Sequence, residues 1–219
     1  MQAVDTPTSI EKRFLAAQQL TLYTVCGGAW ATNSYVLVCQ ETGMGLIVDA
    51  GVALADAWNA LDLDGIEIQQ ILLTHGHCDH IDGLARLMER KSARAYAHPA
   101  DLPMISQANI YGFAWGWPRI FVPEVAGLSS GRIATSLGDI TIRHTPGHTP
   151  GGVAFGLGEM LFTGDTLFRR SGGRTDLPGG NAKLLRETIT SLLETLPATT
   201  RCFPGHGRAF LTSEVELPW

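Results

Sequence analysis

The segment 71–83 constrains this chain more than any other. A short apolar run, typical of a buried strand, leads directly into a cluster of metal-binding side chains. The cluster holds three histidines and one aspartate within six positions: His75, His77, Asp79 and His80. Neutral imidazoles and carboxylates suit zinc, iron or manganese. Because the whole chain has only 7 histidines, a chance cluster in a polar loop is a poor explanation, and the segment predicts a metal-binding loop.

The length and composition are those of a globular domain. The chain has 219 residues, of which 45% are hydrophobic, and this supplies enough apolar surface for a buried core. No linker, repeat or low-complexity run divides it, so residues 1–219 are predicted to form a single domain. The 16 basic and 21 acidic residues give a net charge of -5 without a basic cluster, which argues against a nucleic-acid partner.

Four separate cysteines bear on the cellular setting. Cys26, Cys39, Cys78 and Cys202 form no CxxC motif, so neither a zinc ribbon nor a dense disulfide framework is indicated. The N-terminus lacks the pattern of a signal peptide, and no apolar run approaches the length of a membrane span. We therefore expect a cytoplasmic protein without a membrane partner.

Short hydrophobic runs alternate with turn signals along the whole chain. Runs rich in β-branched and aromatic residues predict strands at residues 21–26, 33–39, 45–48, 69–73, 95–97, 132–135, 139–144, 152–155, 160–163 and 201–203. Helical patterns cover residues 53–61, 84–90, 99–105 and 182–196. Strands followed by a helix in each half of the chain predict an α/β fold, with two sheets packed face to face and helices outside.

Three later segments have the same layout as the first: a strand, a glycine-bearing turn, then a potential ligand. They place His148 in TPGHTPG, Asp165 in GDT and His206 in PGHG. Functional sites in α/β proteins form outside the carboxyl ends of strands, where loops converge on a rigid sheet. The four loops are therefore expected to meet at one edge of the sandwich. Each later histidine taken alone would be interpreted as an ordinary loop residue. Because it occurs together with the other motifs, we interpret it as a ligand.

The ordered pattern HxHxDH, TPGHTPG, GDTLF and PGHG, from about Tyr23 to His206, resembles the metallo-β-lactamase-fold hydrolases. The resemblance implies a four-layer αβ/βα sandwich and two divalent metal ions, with zinc as the first candidate and iron or manganese as alternatives. It also implies one set of ligands for each ion: His75, His77 and His148 for the first, and Asp79, His80 and His206 for the second, with Asp165 bridging the two. Asp79 is in addition expected to orient the attacking water, so Asp79→Ala should reduce both metal content and rate.

The segment GDTLF, followed by GRTD at 173–176, resembles the glyoxalase II group, in particular its short bacterial members, and the related persulfide dioxygenases. The first resemblance implies hydrolysis of a small-molecule thioester, such as the glutathione derivative S-lactoylglutathione, by a hydroxide that bridges two metals. Arg174 is then a candidate for binding a substrate carboxylate, because a guanidinium reads a carboxylate bidentately. Pairing with Asp176 is the alternative. Only a short tail follows His206, so the C-terminal helical region with which full-length glyoxalase II binds glutathione is not expected here.

The main alternative is a persulfide dioxygenase, in which His75, His148 and Asp165 would hold a single iron. The complete second ligand set weighs against it. The acidic balance disfavours a nuclease, while His80 and a bridging Asp165 disfavour a β-lactam hydrolase. A purely structural metal site is disfavoured because it would close its coordination with fewer ligands.

Several nearby residues have two interpretations each. Cys78 is interpreted as a packing residue rather than a ligand. Asp49 and Asp82 either hydrogen-bond a ligand histidine or cap the end of a strand or helix. The aromatic segment 109–123 has no sustained helical period. Its rings either cover the site or make ordinary core or dimer contacts: Tyr111, Phe113, Trp115, Trp117 and Phe121. His98 and His144 fall outside the ligand pattern and are interpreted as structural residues or as residues that support the ligands from behind.

Overall fold

The computed structural model describes residues 6–113 and 116–219, and Trp115 of the aromatic segment lies outside the described residues. The strands are β1 (Thr6–Leu15), β2 (Leu20–Gly28), β3 (Thr32–Cys39), β4 (Met44–Val48), β5 (Glu67–Leu72), β6 (Arg94–Ala97), β7 (Val125–Gly127), β8 (Gly131–Thr135), β9 (Gly138–His144), β10 (Val153–Leu157), β11 (Met160–Gly164), β12 (Arg201–Pro204) and β13 (Phe210–Leu211). The α-helices are α1 (Val52–Ala57), α2 (Leu84–Lys91), α3 (Leu102–Ser106), α4 (Ala108–Phe113) and α5 (Ala182–Thr195).

Two mixed sheets form the centre of the fold. The first has the order β1-β2-β3-β4-β5-β6-β7, with antiparallel pairs from β1 to β4 and parallel pairs from β4 to β7. The second has the order β13-β12-β11-β10-β9-β8, with antiparallel pairs except for β11 and β12. Every predicted strand overlaps one of these, so the predicted two-sheet arrangement is confirmed.

Three apolar clusters define four layers. Between the sheets, side chains such as Leu37 and Phe155 pack against each other and exclude water. On the outer face of the first sheet, α1 and α2 contribute Leu54 and Leu87. On the outer face of the second sheet, α5 contributes Ile189. The order helix, sheet, sheet, helix confirms the α/β four-layer αβ/βα sandwich that the resemblance implied.

The helix α5 shows how the sequence builds an outer layer. Leu185, Ile189 and Leu192 are spaced four and three residues apart, so they lie on one face of the helix and are buried against the second sheet. The side chain of Asn181 accepts a hydrogen bond from the backbone N–H of Leu184 at 3.0 Å and caps the first turn. This helix therefore begins and ends close to the predicted positions.

The first strand was not predicted. Its residues from 7 to 12 are exposed on both faces, and Phe14 is 60% exposed. An edge strand of this kind carries no alternation between buried and exposed positions, which is the signal that sequence patterns reveal. The short helix α4 was also missed, since Gly112 and the aromatic residues around it interrupt the helical period.

Strand direction brings the four ligand loops to one edge. Both β9 and β11 are antiparallel to β10, and β12 is parallel to β11, so these three strands run in the same direction. The two sheets are joined at this edge by backbone hydrogen bonds. The N–H of Val153 donates to the carbonyl of Thr74 at 2.8 Å, and the N–H of Asn33 donates to the carbonyl of Gly205 at 2.7 Å.

The length and polarity of the helices determine whether any of them could cross a membrane. None of the helices in residues 6–113 and 116–219 has the length and apolar character that crossing a bilayer requires.

Candidate metal centre

All seven predicted ligands lie together at this edge of the sandwich. They form three groups, and within each group the potential ligand atoms lie within 4.8 Å of one another. The groups are His75 with His77 and His148, Asp79 with His80 and His206, and His75 with His80 and Asp165. The first two groups match the two predicted ligand sets. The third contains the predicted bridging aspartate.

Asp165 faces both ligand sets with its two carboxylate oxygens. Its Oδ2 lies 3.6 Å from Nε2 of His148, while its Oδ1 lies 3.6 Å from Nε2 of His80. The same Oδ2 is 3.3 Å from Nε2 of His206. Since the carboxylate sits between a member of the first set and two members of the second, it is placed as a bridging group would be.

Three buried polar atoms at this point fit a metal ion. Within the described part of the chain, Nε2 of His75, Nε2 of His80 and Oδ1 of Asp165 have no hydrogen-bond partner. A buried polar atom without a partner costs free energy, so such atoms are rare unless something else satisfies them. The three atoms converge on one point, and they are ligand types that divalent metals accept. The donor set therefore fits the metal centre that the sequence predicted.

Hydrogen bonds behind the histidines aim their ligand atoms. Nδ1–H of His148 donates to the carbonyl of Arg174 at 2.7 Å, and Nδ1–H of His206 donates to the carbonyl of Trp30 at 3.0 Å. A carbonyl only accepts, so in each ring Nδ1 carries a hydrogen, and Nε2 is the nitrogen that can offer a lone pair to a metal ion. In both rings that nitrogen faces the cluster.

Asp49 organises two more of the histidines. Its Oδ2 accepts a hydrogen bond from Nδ1–H of His80 at 2.9 Å. The carboxylate also accepts from the hydroxyl of Thr74 at 2.8 Å, and that hydroxyl lies 3.1 Å from Nδ1 of His75. Of the two interpretations given to Asp49, the hydrogen bond to a ligand histidine is the one observed. A carboxylate behind a metal-binding histidine sets its tautomer and increases its basicity.

His77 differs from the other histidines in the atom that it presents. Its Nδ1 lies 2.9 Å from Nε2 of His148, the atom that carries the lone pair. A hydrogen shared by the two nitrogens, or a metal ion bound by both, accounts for so short a distance. Both atoms belong to the first predicted ligand set, together with His75.

The protonation state of the carboxylates and of two histidines suits metal binding. Burial lowers the pKa of His77 to about 3 and holds the pKa of His75 well below its usual value, so both rings are neutral. Burial raises the pKa of Asp165, but the nearby His206, His80 and His148 lower it more, to about 2. The pKa of Asp79 is also lowered, because His80 and His206 outweigh the effect of burial. Metals bind these deprotonated forms.

Asp79 is held in place by a hydroxyl from the neighbouring strand. The Oγ1–H of Thr32 donates to its Oδ2 at 2.6 Å, and that oxygen lies 3.4 Å from Nε2 of both His80 and His206. A charge-assisted hydrogen bond of this length fixes the orientation of the carboxylate.

Asp101 is a supporting residue that the sequence did not reveal. It is fully buried, and its carboxylate accepts hydrogen bonds from the N–H of Gly76 at 2.9 Å, the hydroxyl of Thr149 at 2.7 Å and the N–H of Gly151 at 2.6 Å. Gly76 separates two histidines of the first set, while Thr149 follows the third. One carboxylate thus ties together the two loops that carry the first ligand set.

We expect Asp101→Asn to weaken metal binding, because its NH2 group would replace one of the two oxygens and so face one or two of the donors that now point at the carboxylate. Supporting groups of metal ligands typically contribute about 10- to 100-fold in metal affinity. Metal affinity measured by competition with a chelator checks the prediction. Asp139→Asn, a change at an exposed aspartate on β9, is the matched control. An Asp101→Asn protein with unchanged metal affinity and only a lower melting temperature would make Asp101 a purely structural residue.

Arg174 forms a bidentate ion pair. Its Nε and Nη2 donate to the two carboxylate oxygens of Asp176 at 2.8 and 2.7 Å, and this contact lowers the pKa of Asp176 to about 2. The alternative interpretation of Arg174 is thus present in the structure. Both side chains are solvent-exposed, so the pair can open. Contact of Arg174 with a substrate carboxylate stays a prediction.

The remaining predictions concern residues beside the centre. The thiol of Cys78 donates to the carbonyl of Ala108 at 3.2 Å, in agreement with a packing role. Asp82 accepts from the N–H of Val52 at 2.5 Å and so holds the first residue of α1. The aromatic segment divides. Trp117 packs on the core, and its ring centroid lies 4.7 Å from that of Trp30, whereas two other rings of the segment are exposed: Phe113 and Phe121.

Comparison with known proteins identifies the family. The family model of the metallo-beta-lactamase superfamily matches residues 27–206. The chain belongs to the metallo-beta-lactamase superfamily. The recognised resemblance is therefore confirmed, and the loops that carry the predicted ligands all lie within the matched region or at its end.

Similar members of the superfamily include proteins of known and unknown activity. An uncharacterized protein of Mycobacterium tuberculosis is 37% identical over 202 residues, which is 83% of this chain and 88% of that protein. A hydroxyacylglutathione hydrolase of Methylobacillus flagellatus is 33% identical over 174 residues, which is 80% of this chain and 62% of that protein. The crystal structure of TTHA1623 in a di-iron-bound form is 35% identical, with a TM-score of 0.77, and covers 87% of this chain and 95% of that one.

Proposed function

We propose that the chain is a binuclear metallohydrolase that cleaves thioesters. The observation that carries the proposal is the position of Asp165, whose two oxygens face His148 of the first ligand set and His80 of the second. A carboxylate between two sets of imidazoles is the arrangement by which proteins hold two divalent ions close together. The predicted ligands of each set would hold one ion.

Different residues around the proposed centre have different roles in the reaction. When bound, two divalent ions would lower the pKa of a water molecule towards neutrality and polarise a carbonyl oxygen. Asp79, fixed by Thr32, is the proposed catalytic residue that orients the attacking water. The reaction adds one water to a thioester and yields a carboxylic acid and a thiol. Asp49 and Asp101 keep the ligand loops in position while the substrate enters and leaves.

A glutathione thioester is the proposed substrate class for a first assay. Support comes from the identity with the hydroxyacylglutathione hydrolase of Methylobacillus flagellatus. Arg174 would release Asp176 and pair with a substrate carboxylate instead, since a guanidinium binds either carboxylate in the same bidentate geometry.

The proposal names zinc first and includes iron and manganese, because histidine and aspartate ligands suit all three. The di-iron form of TTHA1623 supports iron. A reducing, cytoplasmic setting is also part of the proposal, and it is supported by the free thiols of all four cysteines: Cys26, Cys39, Cys78 and Cys202.

Turnover of S-lactoylglutathione by zinc-, iron- and manganese-loaded protein tests the proposal. Thiol release should require metal, stop on treatment with a chelator and return when metal is restored. Arg174→Gln should raise KM for this substrate more than it lowers kcat. If none of the metal-loaded preparations released thiol from any thioester, the proposed hydrolase activity would be wrong.

The same preparations separate the hydrolase from the alternative dioxygenase. Glutathione persulfide is added to the iron-loaded protein, and oxygen uptake is measured. We expect no oxygen uptake above that of the chelated protein. Uptake at a rate above thioester turnover, from protein that carries a single iron, would assign the chain to the oxidoreductases instead.

A further inference from the structure

A cavity of about 300 Å³ opens directly beside the metal centre. His77 of the first ligand set forms part of its wall, so a group in the cavity lies next to the reacting atoms. Other parts of the wall come from α4, through Ile110 and Tyr111, and from the loop after Asp176, through Leu177. This volume is at the lower end of the range for small-molecule sites, which suits one arm of a substrate rather than a whole cofactor.

The wall of the cavity is mainly hydrocarbon and aromatic. Met104 from α3 and Trp117 from the aromatic segment line it together with the residues of α4 and Leu177. The ring of Trp117 packs against that of Trp30, which also lines the cavity, with 4.7 Å between the ring centroids. Large aromatic and aliphatic side chains that remain partly uncovered beside a polar centre gain stability when an apolar group covers them.

The side chains that line the cavity suit an uncharged occupant. Of the described residues that line it, none is a lysine or an arginine. The lining does contain the carboxylate of Asp176, but the guanidinium of Arg174 pairs with it and compensates its charge. A carboxylate moved from water to this wall would lose hydration without meeting a cation in the lining, so an anionic group is disfavoured there.

We infer that this cavity binds the acyl group of the substrate and selects acyl groups that are apolar and uncharged. The inference rests on the proposed thioester hydrolysis and names the substrate class more closely. A glutathione-type thiol carries carboxylates, so it lies outside the cavity, towards Arg174 and solvent. The acyl group is the arm that enters. A linear or aromatic acyl chain is therefore a better substrate than the small, hydroxylated lactoyl group.

A series of thioesters of one uncharged thiol, N-acetylcysteamine, tests the selection. The acyl groups are acetyl, butyryl, hexanoyl and succinyl, the last of which matches butyryl in chain length and ends in a carboxylate. We expect kcat/KM to rise about fourfold for each methylene until the cavity is filled. Succinyl should be at least about tenfold poorer than butyryl. Equal kcat/KM for butyryl and succinyl would overturn the inference.

Leu177→Arg tests whether this cavity is the origin of the preference. A guanidinium in the wall should lower kcat/KM for hexanoyl and raise it for succinyl, so that the ratio of the two falls by at least about tenfold. Leu184→Arg, the same change at an exposed position of α5, is the matched control and should leave the ratio unchanged. An unchanged ratio in Leu177→Arg would show that the cavity does not determine the preference between acyl groups.

A binding measurement separates this inference from the proposed activity. The indole N–H signals of Trp30 and Trp117 are followed by NMR while phenylacetamide or succinamate is added to the metal-loaded protein. The neutral aromatic amide should shift both signals, and the anionic one should not. This result would support an apolar subsite even if no thioester were hydrolysed. Equal shifts with both compounds, or none with either, would overturn the inference whatever the fate of the hydrolase proposal.

Discussion

Asp165→Ala is expected to lower thioester hydrolysis by at least about a thousandfold. Its two oxygens face both ligand sets, at 3.6 Å from His148 and from His80. Removing it takes one ligand from each proposed ion at once. The purified variant should therefore retain less than about one metal ion per chain after dialysis. Elemental analysis and thiol release on the same sample check both parts of the prediction.

Comparison with Asp79→Ala makes this prediction more specific. Among the predicted ligands in the described residues, Oδ2 of Asp79 lies 3.4 Å from His80 and from His206, both members of the second set. Asp79→Ala should thus lose one ion and keep about one, while Asp165→Ala loses both. Asp139→Ala changes an exposed aspartate and should match the wild type in both measurements.

Loss of a buried carboxylate leaves nearby imidazoles without an opposite charge and destabilises the fold. Asp165→Asn, which retains the shape of the side chain, therefore accompanies the alanine variant. Circular dichroism shows whether each variant is folded. A folded Asp165→Asn protein with full metal content and full turnover would contradict the bridging role.

Gly205→Ala is expected to reduce hydrolysis by about a hundredfold, since displacement of a catalytic group by about 1 Å has that effect. A methyl group at this position would overlap Oδ1 of Asp165 and lie 2.6 Å from Cε1 of His80. The backbone cannot easily move away, because the N–H of Gly205 donates to the carbonyl of Gly164 and its own carbonyl accepts from Asn33. Two proposed ligands must therefore shift. Metal affinity and kcat/KM are the quantities to measure.

Gly65→Ala provides the control for this substitution. A methyl group there meets no atom within 4 Å, so the variant should retain wild-type metal affinity and turnover. A Gly205→Ala protein with the same metal affinity as Gly65→Ala would show that the centre is looser than its packing indicates.

The ligand loops were predictable because each follows a local rule. A buried strand, a glycine turn and a polar side chain occur in order at His75, His148, Asp165 and His206, and the carboxyl ends of such strands meet at one edge. The chemistry is contained in short segments, so no knowledge of distant contacts was needed. The two-sheet core followed from runs of β-branched and aromatic residues for the same reason.

The supporting residues depend on contacts between distant segments. Asp101 lies in a short helical turn, yet its partners Gly76, Thr149 and Gly151 are between 25 and 50 positions away. Nothing near Asp101 in the sequence distinguishes it from an aspartate that caps a helix. Asp49 is an intermediate case. A hydrogen bond to a ligand histidine was one of its two interpretations, and only the contact of 2.9 Å with His80 decides between them.

Elements with little burial were the least predictable. The edge strand β1 is exposed along most of its length, while β7 and β13 are only three and two residues long. Hydrophobic periodicity reports burial on one face, so elements without such a face leave no pattern. The roles of the rings in the aromatic segment were hard to predict for the opposite reason. Its large side chains are apolar, but several line a cavity or face solvent instead of packing in the core.

The metal content of the wild-type chain tests the central claim most directly. Purified protein is saturated with zinc, iron or manganese in separate samples, freed of excess ion and analysed for metal against protein concentration. The two complete ligand sets around Asp165 predict about two ions per chain for at least one of these metals. A content that stays at about one ion per chain with all three metals would contradict the binuclear centre and with it the proposed hydrolase mechanism.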